Sequence, residues 1–483
     1  MNFAGLTFLI FAHYLSGRGI LQLFRLELKN LQLICLSIIL GVPLVSLAPC
    51  FVQLLHIPIT MGSMFASVGI LTALCCVPLA FHFKMPKFGK ITLPQIYELP
   101  FLLCCLLLVV LSVWRCYYYP VFARDMLAGP ELLAEYAVRE RNMVSSVFNV
   151  DLHTTNNYFK SPYITCLQII YKLLVQPFGQ LWMSVLFVPF IVLLYSYLRH
   201  RLHPLLAALL LFLFMTIPDL FAYSFVMLYD YSNMVFFFLG FYYLVQHLES
   251  KKTSEFAFAL FLFGLATYIR VETLVLIGML ALMPLVMYYR QKLEPKKIVL
   301  RMALLIAVPV AAYFICIHLF VEHFVPLPFN ASNDINKNLG DVSYFFERFS
   351  NMNSILIFGA QGLVVYGLYM KFFLGLLVID IIYFVATRKP MTMEGRYALY
   401  GVLVVYIGLP LLGYLLPLFD IMNTTKRGLF KILPLMLLYM ANSGMLRAIS
   451  ERITNWEYKR DEVKPKVATA KATPKPAPQK KGK

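Results

Sequence analysis

Long apolar runs recur through most of this chain, and they decide what it can fold into. The run PFLLCCLLLVVLSVW, residues 100 to 114, is typical. A bilayer core about 30 Å thick is crossed by roughly 20 apolar residues in a helix, which satisfies its own backbone hydrogen bonds. The runs are continuously apolar rather than alternating, which argues against a membrane β-barrel. Over 483 residues, 60% are hydrophobic and only 14% charged, with a mean hydropathy of +0.74. The expected class is therefore all-α: a polytopic transmembrane helical bundle.

Orientation follows from the short loops rich in Lys and Arg, which collect on the cytoplasmic face. These are 17 to 30 (GRGILQLFRLELKN), 84 to 90, 199 to 203, 249 to 255, 290 to 297, 388 to 390 and the C-terminal tail. One side accommodates all of them if helices cross near 3–16, 31–55, 59–82, 98–114, 178–198, 204–227, 233–247, 256–269, 273–289, 302–325, 367–387, 397–417 and 429–447, about thirteen crossings. The first apolar stretch lacks a preceding basic region and a small-x-small cleavage site, so it is expected to be retained. The stretch 354–366 reads as interfacial or re-entrant. The long outer loops are then 115–177 and 326–366, and the first of them is expected to carry two short surface helices, within 125–141 and 163–175.

The net charge of +18 raises nucleic acid as a partner, but its distribution argues against that. From Arg447 onward there are eleven Lys and Arg against four Asp and Glu, ending in VKPKVATAKATPKPAPQKKGK. No aromatic residues interleave with those lysines, as a single-strand-binding surface requires. Residues 448–483 read as a basic, disordered cytoplasmic tail facing membrane lipids. The nine cysteines form no C-x-x-C pair and read as small core residues.

The remaining charges fall at one depth. Asp125, beside Arg124, follows the fourth expected crossing, Asp230 ends the sixth in VMLYDYSN, Arg270 and Glu272 lie in TYIRVET, and Lys426 and Arg427 lie in NTTKRGLF. Ionisable groups at membrane depth are costly, so a gathering of them points to a water-accessible cavity on the outer face. A carboxylate can take a proton from an acceptor hydroxyl or amine, and guanidinium groups can hold a phosphate and stabilise its departure. Each group also has a plainer reading: Arg124 with Asp125 as a local ion pair at a helix start, Arg270 with Glu272 as a solvated turn. Asp151 and His153, in NVDLHTTNNYFKSPY, are weak metal candidates with no third ligand spaced nearby, so no cofactor is firmly expected and a divalent metal stays possible.

In order along the chain, four segments resemble the GT-C class of membrane glycosyltransferases, which use polyprenyl-phosphate-linked sugars and include protein O-mannosyltransferase-like and aminoarabinose transferase-like enzymes. They are YYYPVFARDMLAG; NNYFKSPYITCLQIIYKLL; IPDLFAYSFVMLYDYSNMVFFFLGFYYLVQHL with FLFGLATYIRVETLVLI; and TTKRGLFKILPLMLLYMA. The resemblance covers roughly 98–447 and makes 98–447 a catalytic core, with 1–97 an added N-terminal module. It implies Asp125 as the general base, Asp230 as a second acid, Arg270 and Arg427 as phosphate contacts, and Lys160 and Tyr163 lining the loop side of the cavity. The implied partners are a polyprenyl-phosphate-linked sugar and an acceptor glycan, lipid or protein at the outer face of a bacterial inner membrane. Three features depart from the family pattern: about three crossings precede the helix that leads into the loop, His153 lies five residues before Tyr158 with Pro162 the one proline of that segment, and Gly428 stands where an aromatic residue is usual. A transporter or flippase of a lipid-linked sugar, an O-antigen polymerase or ligase, and a noncatalytic assembly subunit are the competing classes.

Overall fold

The computed structural model describes residues 2–81, 94–147, 161–315, 341–354, 364–415 and 426–463. Among the described residues the chain is helical throughout and holds no strand. Eight helices are long and apolar enough to cross a membrane, or nine if the bent pair Leu429–Ala441 and Gly444–Glu457, angled by 50°, is one span. Several long apolar helices of this kind describe an integral membrane protein.

The N-terminal end departs from expectation. The first helix runs from Phe3 to Phe24, through the segment read as a basic loop, and Arg18 is buried within it. Close helix packing explains the extension. A Cβ on Gly17 would stand 1.8 Å from the Ser37 carbonyl oxygen, one on Gly19 1.9 Å from that of Cys75, and one on Gly41 1.9 Å from that of His13. Helices Phe3–Phe24, Asn30–Val45 and Met61–Phe81 therefore meet backbone to backbone, as small residues permit where lipid supplies no hydrophobic drive between helices. Gly41→Val is expected to separate the first two helices and lower stability by about 1–3 kcal/mol or more, read as a fall in the unfolding midpoint of detergent-purified protein.

These first helices also reach the rest of the chain. Ser46 and Tyr268 hydroxyls lie 3.2 Å apart, and His13 Nε2 lies 2.9 Å from the Tyr171 hydroxyl.

Two further expectations are revised. The crossing read as 204–227 is interrupted: Pro204–Met215 ends and a short helix, Pro218–Ala222, begins. Pro218 has no N–H to donate and pushes the preceding residue out of helical geometry, so the break falls where it must. In the loop read as 115–177, Tyr163–Leu174 matches the expected second helix, but it is not a surface helix, because ten of its residues are buried. Pro130–Glu140 lies beside it, with Lys172 bonded to Glu131 and Glu135 at 2.7 and 3.0 Å. The expected helix over 125–141 is split at Ala128 and Gly129, just ahead of Pro130.

The helix Tyr229–Ser250 threads the core with nineteen buried residues and carries polar groups at both ends. At one end is Asp230. Sixteen residues on, about 24 Å at 1.5 Å per residue, Gln246 joins a second network in which Arg201 Nε donates to Glu394 Oε2 at 2.7 Å. The acid–arginine groups at the two ends thus lie far apart.

Candidate functional site

Helix termini assemble the site. Asp230 lies in the first turn of Tyr229–Ser250, where a carboxylate favours the positive end of the helix dipole. The helix Thr253–Ile269 stops at Arg270, whose backbone is extended (φ −147°, ψ 118°), and Thr273–Leu280 begins three residues later. The turn between them is pinned by Asn233, whose Nδ2 donates to the Ala266 carbonyl at 2.7 Å and to Thr273 Oγ1 at 2.8 Å. One buried amide therefore fixes the Arg270 turn against the helix that carries Asp230.

Arg270 then joins two acids. Its Nη1 donates to Asp230 Oδ1, its Nη2 to Glu272 Oε1 at 2.6 Å, and its Nε to both Glu272 oxygens at 3.2 Å. Asp230 is 2% exposed, and the Arg270 and Glu272 side chains are 15% and 22% exposed, so this is a largely buried ion triad and not the solvated turn of the plainer reading. Burial opposes ionisation of Glu272, but the Arg270 charge and its hydrogen bonds outweigh it and hold the carboxyl down to about 2. The lowered value sets the sign of the pH dependence: the stabilisation is complete above the ordinary 4.5 and is lost as pH falls towards 2. Glu272→Gln is expected to flatten the acid limb of a thermal-stability profile in that window; an unchanged limb would place the acid sensitivity elsewhere.

Asp125 meets Arg427 at the outer edge of this group. The Arg427 Nη1 donates to Asp125 Oδ2 at 3.1 Å, joining positions 302 residues apart. The Asp125 side chain is 54% exposed. The exposed Arg124 is not Asp125's contact here, which replaces the local ion pair considered from sequence. Tyr223 connects the two parts: it lies in the fields of Asp230, Arg427, Asp219 and Asp125, and its ring packs tilted against Phe430 with centroids 4.3 Å apart.

Lys431 completes the group. It is 4% exposed and lies in the fields of Arg270, Asp230 and Glu272, yet no carboxylate of the described residues comes within ion-pair distance of it. Sequence reasoning passed over both Lys431 and Tyr223. Lys431 did leave a signal, a single cation four residues after Arg427 and just ahead of the apolar run ILPLMLL. Tyr223 left none, as one of 30 tyrosines.

Of the other expected site residues, Tyr163 is fully buried. Its hydroxyl donates to Ser232 Oγ at 3.2 Å, and its ring meets Trp182 and Tyr268 edge-on. It supports the turn of helix bearing Asp230 and does not line an open cavity. Lys160, Asp151 and His153 lie outside the described residues. Among the described residues no three His, Cys, Asp or Glu side chains gather as a metal site. Asp230, Arg270 and Glu272 thus meet in one ion-paired group and Asp125 meets Arg427, where an open cavity was expected.

Chemically, the arrangement offers an exposed carboxylate able to take a proton, a cation beside it, and a buried charge-balanced group behind. Compared with protein-family models, with curated proteins and with solved structures, the chain matches none of them.

Proposed function

We propose that this chain is a membrane glycosyltransferase of GT-C-like architecture. It moves a sugar from a polyprenyl-phosphate donor to an acceptor glycan, lipid or protein. In this reading the chain crosses a bacterial cytoplasmic membrane about thirteen times, the site faces outward, and the basic tail stays inside. The observation that carries the proposal is the Asp125–Arg427 pair: an exposed acid of the short helix Arg124–Leu127 held on a cation just ahead of the last apolar helix pair, beside the largely buried Asp230–Arg270–Glu272 triad.

The chemistry is a displacement at the anomeric carbon. The acceptor hydroxyl or amine forms the new bond to that carbon while its proton passes to Asp125. The bond to the phosphate oxygen breaks, and polyprenyl phosphate leaves with the electron pair. Arg427 holds the phosphate, and the buried triad fixes the turn and helix start that shape the site.

The experiment is a transfer assay in proteoliposomes containing a donor labelled in its sugar. Label leaving the lipid and joining the acceptor supports transfer. Label crossing the bilayer with the sugar–lipid bond intact supports the transporter instead.

A further inference from the structure

We infer that Cys50 and Cys166 are joined by a disulfide in the working protein, fastening the N-terminal helices to the helix that supports the Asp230 turn. The inference rests on the reading above only in placing the 115–177 segment on the outer side of the membrane. Cys50 lies in the short helix Ala48–Leu54 and Cys166 in Tyr163–Leu174. Their Sγ atoms stand 3.6 Å apart, in contact but not bonded, although the residues are 116 positions apart in the chain. A disulfide holds its sulfurs at about 2 Å, so closure asks for a shift of about 1.5 Å.

The surroundings hold the two helices together. The Met143 N–H donates to Gln53 Oε1 at 2.9 Å, and the Ile59 N–H donates to the Arg141 carbonyl at 2.8 Å. The turn that follows Cys50 therefore belongs to the same end of the bundle as the 115–177 segment. Outside a bacterial cytoplasmic membrane conditions are oxidising, and disulfides form and persist there. Two of the nine cysteines thus do more than fill the core, the role expected from sequence.

The chemistry is thiol–disulfide exchange with a disulfide oxidant of that compartment. Cys50, only partly buried, attacks first as its thiolate, and a mixed disulfide forms as one sulfur of the oxidant leaves. The Cys166 thiolate then attacks the Cys50 sulfur, and the second sulfur of the oxidant leaves. The two cysteines have given up two protons and two electrons, and the oxidant departs as a dithiol. The bond also reaches the candidate site. Tyr163, one helical turn before Cys166, donates to Ser232, and the Tyr229 hydroxyl donates to the Ser161 carbonyl at 2.8 Å. A link at Cys166 braces the first turn of the Asp230 helix and makes residues 1–97 part of the same unit. Its effect falls on stability, because a cross-link over so long a segment restricts the unfolded chain.

The test uses the full chain from membranes whose thiols are trapped with N-ethylmaleimide in denaturant. Proteolysis without reductant is expected to release a peptide pair joining Cys50 to Cys166, lighter by two hydrogens than the two thiol peptides together. Reductant is expected to lower the wild-type unfolding midpoint by several degrees and to leave that of Cys50→Ser/Cys166→Ser unmoved. Two thiols that only pack together would give separate alkylated peptides and a wild-type midpoint indifferent to reductant. Either result overturns the inference, and both are read on wild type, so they stand even if the double variant does not fold.

Arg124→Cys, at an exposed position, reports the side by a gain of labelling over wild type with a membrane-impermeant maleimide in spheroplasts. Separate Cys50 and Cys166 peptides with Arg124→Cys labelled overturn the disulfide and leave the outward orientation standing; the same peptides with it unlabelled overturn both. A joined pair in a protein that transfers no sugar sinks the glycosyltransferase reading and leaves the disulfide.

Discussion

Arg270→Met is expected to destabilise the protein by about 3–5 kcal/mol, the usual cost of removing one partner from a buried ion pair. The arginine stands between two acids, one of them 2% exposed. Its loss leaves Asp230 and Glu272 close together with no guanidinium between them, so one must take a proton or draw in water. The effect should spread along the chain, because the same turn is bonded through Asn233 to the helix Tyr229–Ser250. Combining Arg270→Met with Asp230→Asn and Glu272→Gln should recover much of the loss, since the stranded charges are then gone. Denaturation of detergent-purified protein reads both results. A single-variant loss below about 1 kcal/mol, the range of exposed pairs, would mean that the triad is solvated and that its burial here is not the working state.

Much of the helical layout could be read from the apolar runs, and the exceptions have local causes. Tyr163–Leu174 was expected almost to the residue, because apolar periodicity fixes where such a helix lies. Its burial on most sides was not legible, since that depends on which helices cover it. Conversely, Phe3–Phe24 continues past its apolar stretch because glycines let backbones touch, a property of pairs of helices and not of one segment. Pro218 did advertise a break inside the crossing read as 204–227, and the structure places one there.

The site divides in the same way. Loop charge and helix counting led to the expectation that Asp125, Asp230, Arg270, Glu272 and Arg427 lie at one depth; the structure joins Asp230, Arg270 and Glu272 in one group and Asp125 with Arg427. Who pairs with whom was not legible. Proximity in sequence favoured Arg124 for Asp125, whereas the fold supplies Arg427.

Asp125 separates catalysis from stability. Its carboxylate is 54% exposed, so its pair with Arg427 should contribute no more than about 1 kcal/mol to folding. Loss of a general base, by contrast, typically costs about 10²–10⁴ in rate. Asp125→Asn keeps size and shape while removing the proton acceptor. The comparison therefore reads chemistry with little contribution from unfolding, and Arg124→Gln, altering an exposed neighbour outside this pair, is the control.

The decisive measurement is the transfer rate of Asp125→Asn against wild type in the same proteoliposomes, at saturating donor and with the unfolding midpoint recorded for each. The account predicts a fall in kcat of at least about 100-fold, a midpoint within a few degrees of wild type, and a near-normal rate for Arg124→Gln. Sugar transfer by Asp125→Asn at the wild-type rate would contradict it.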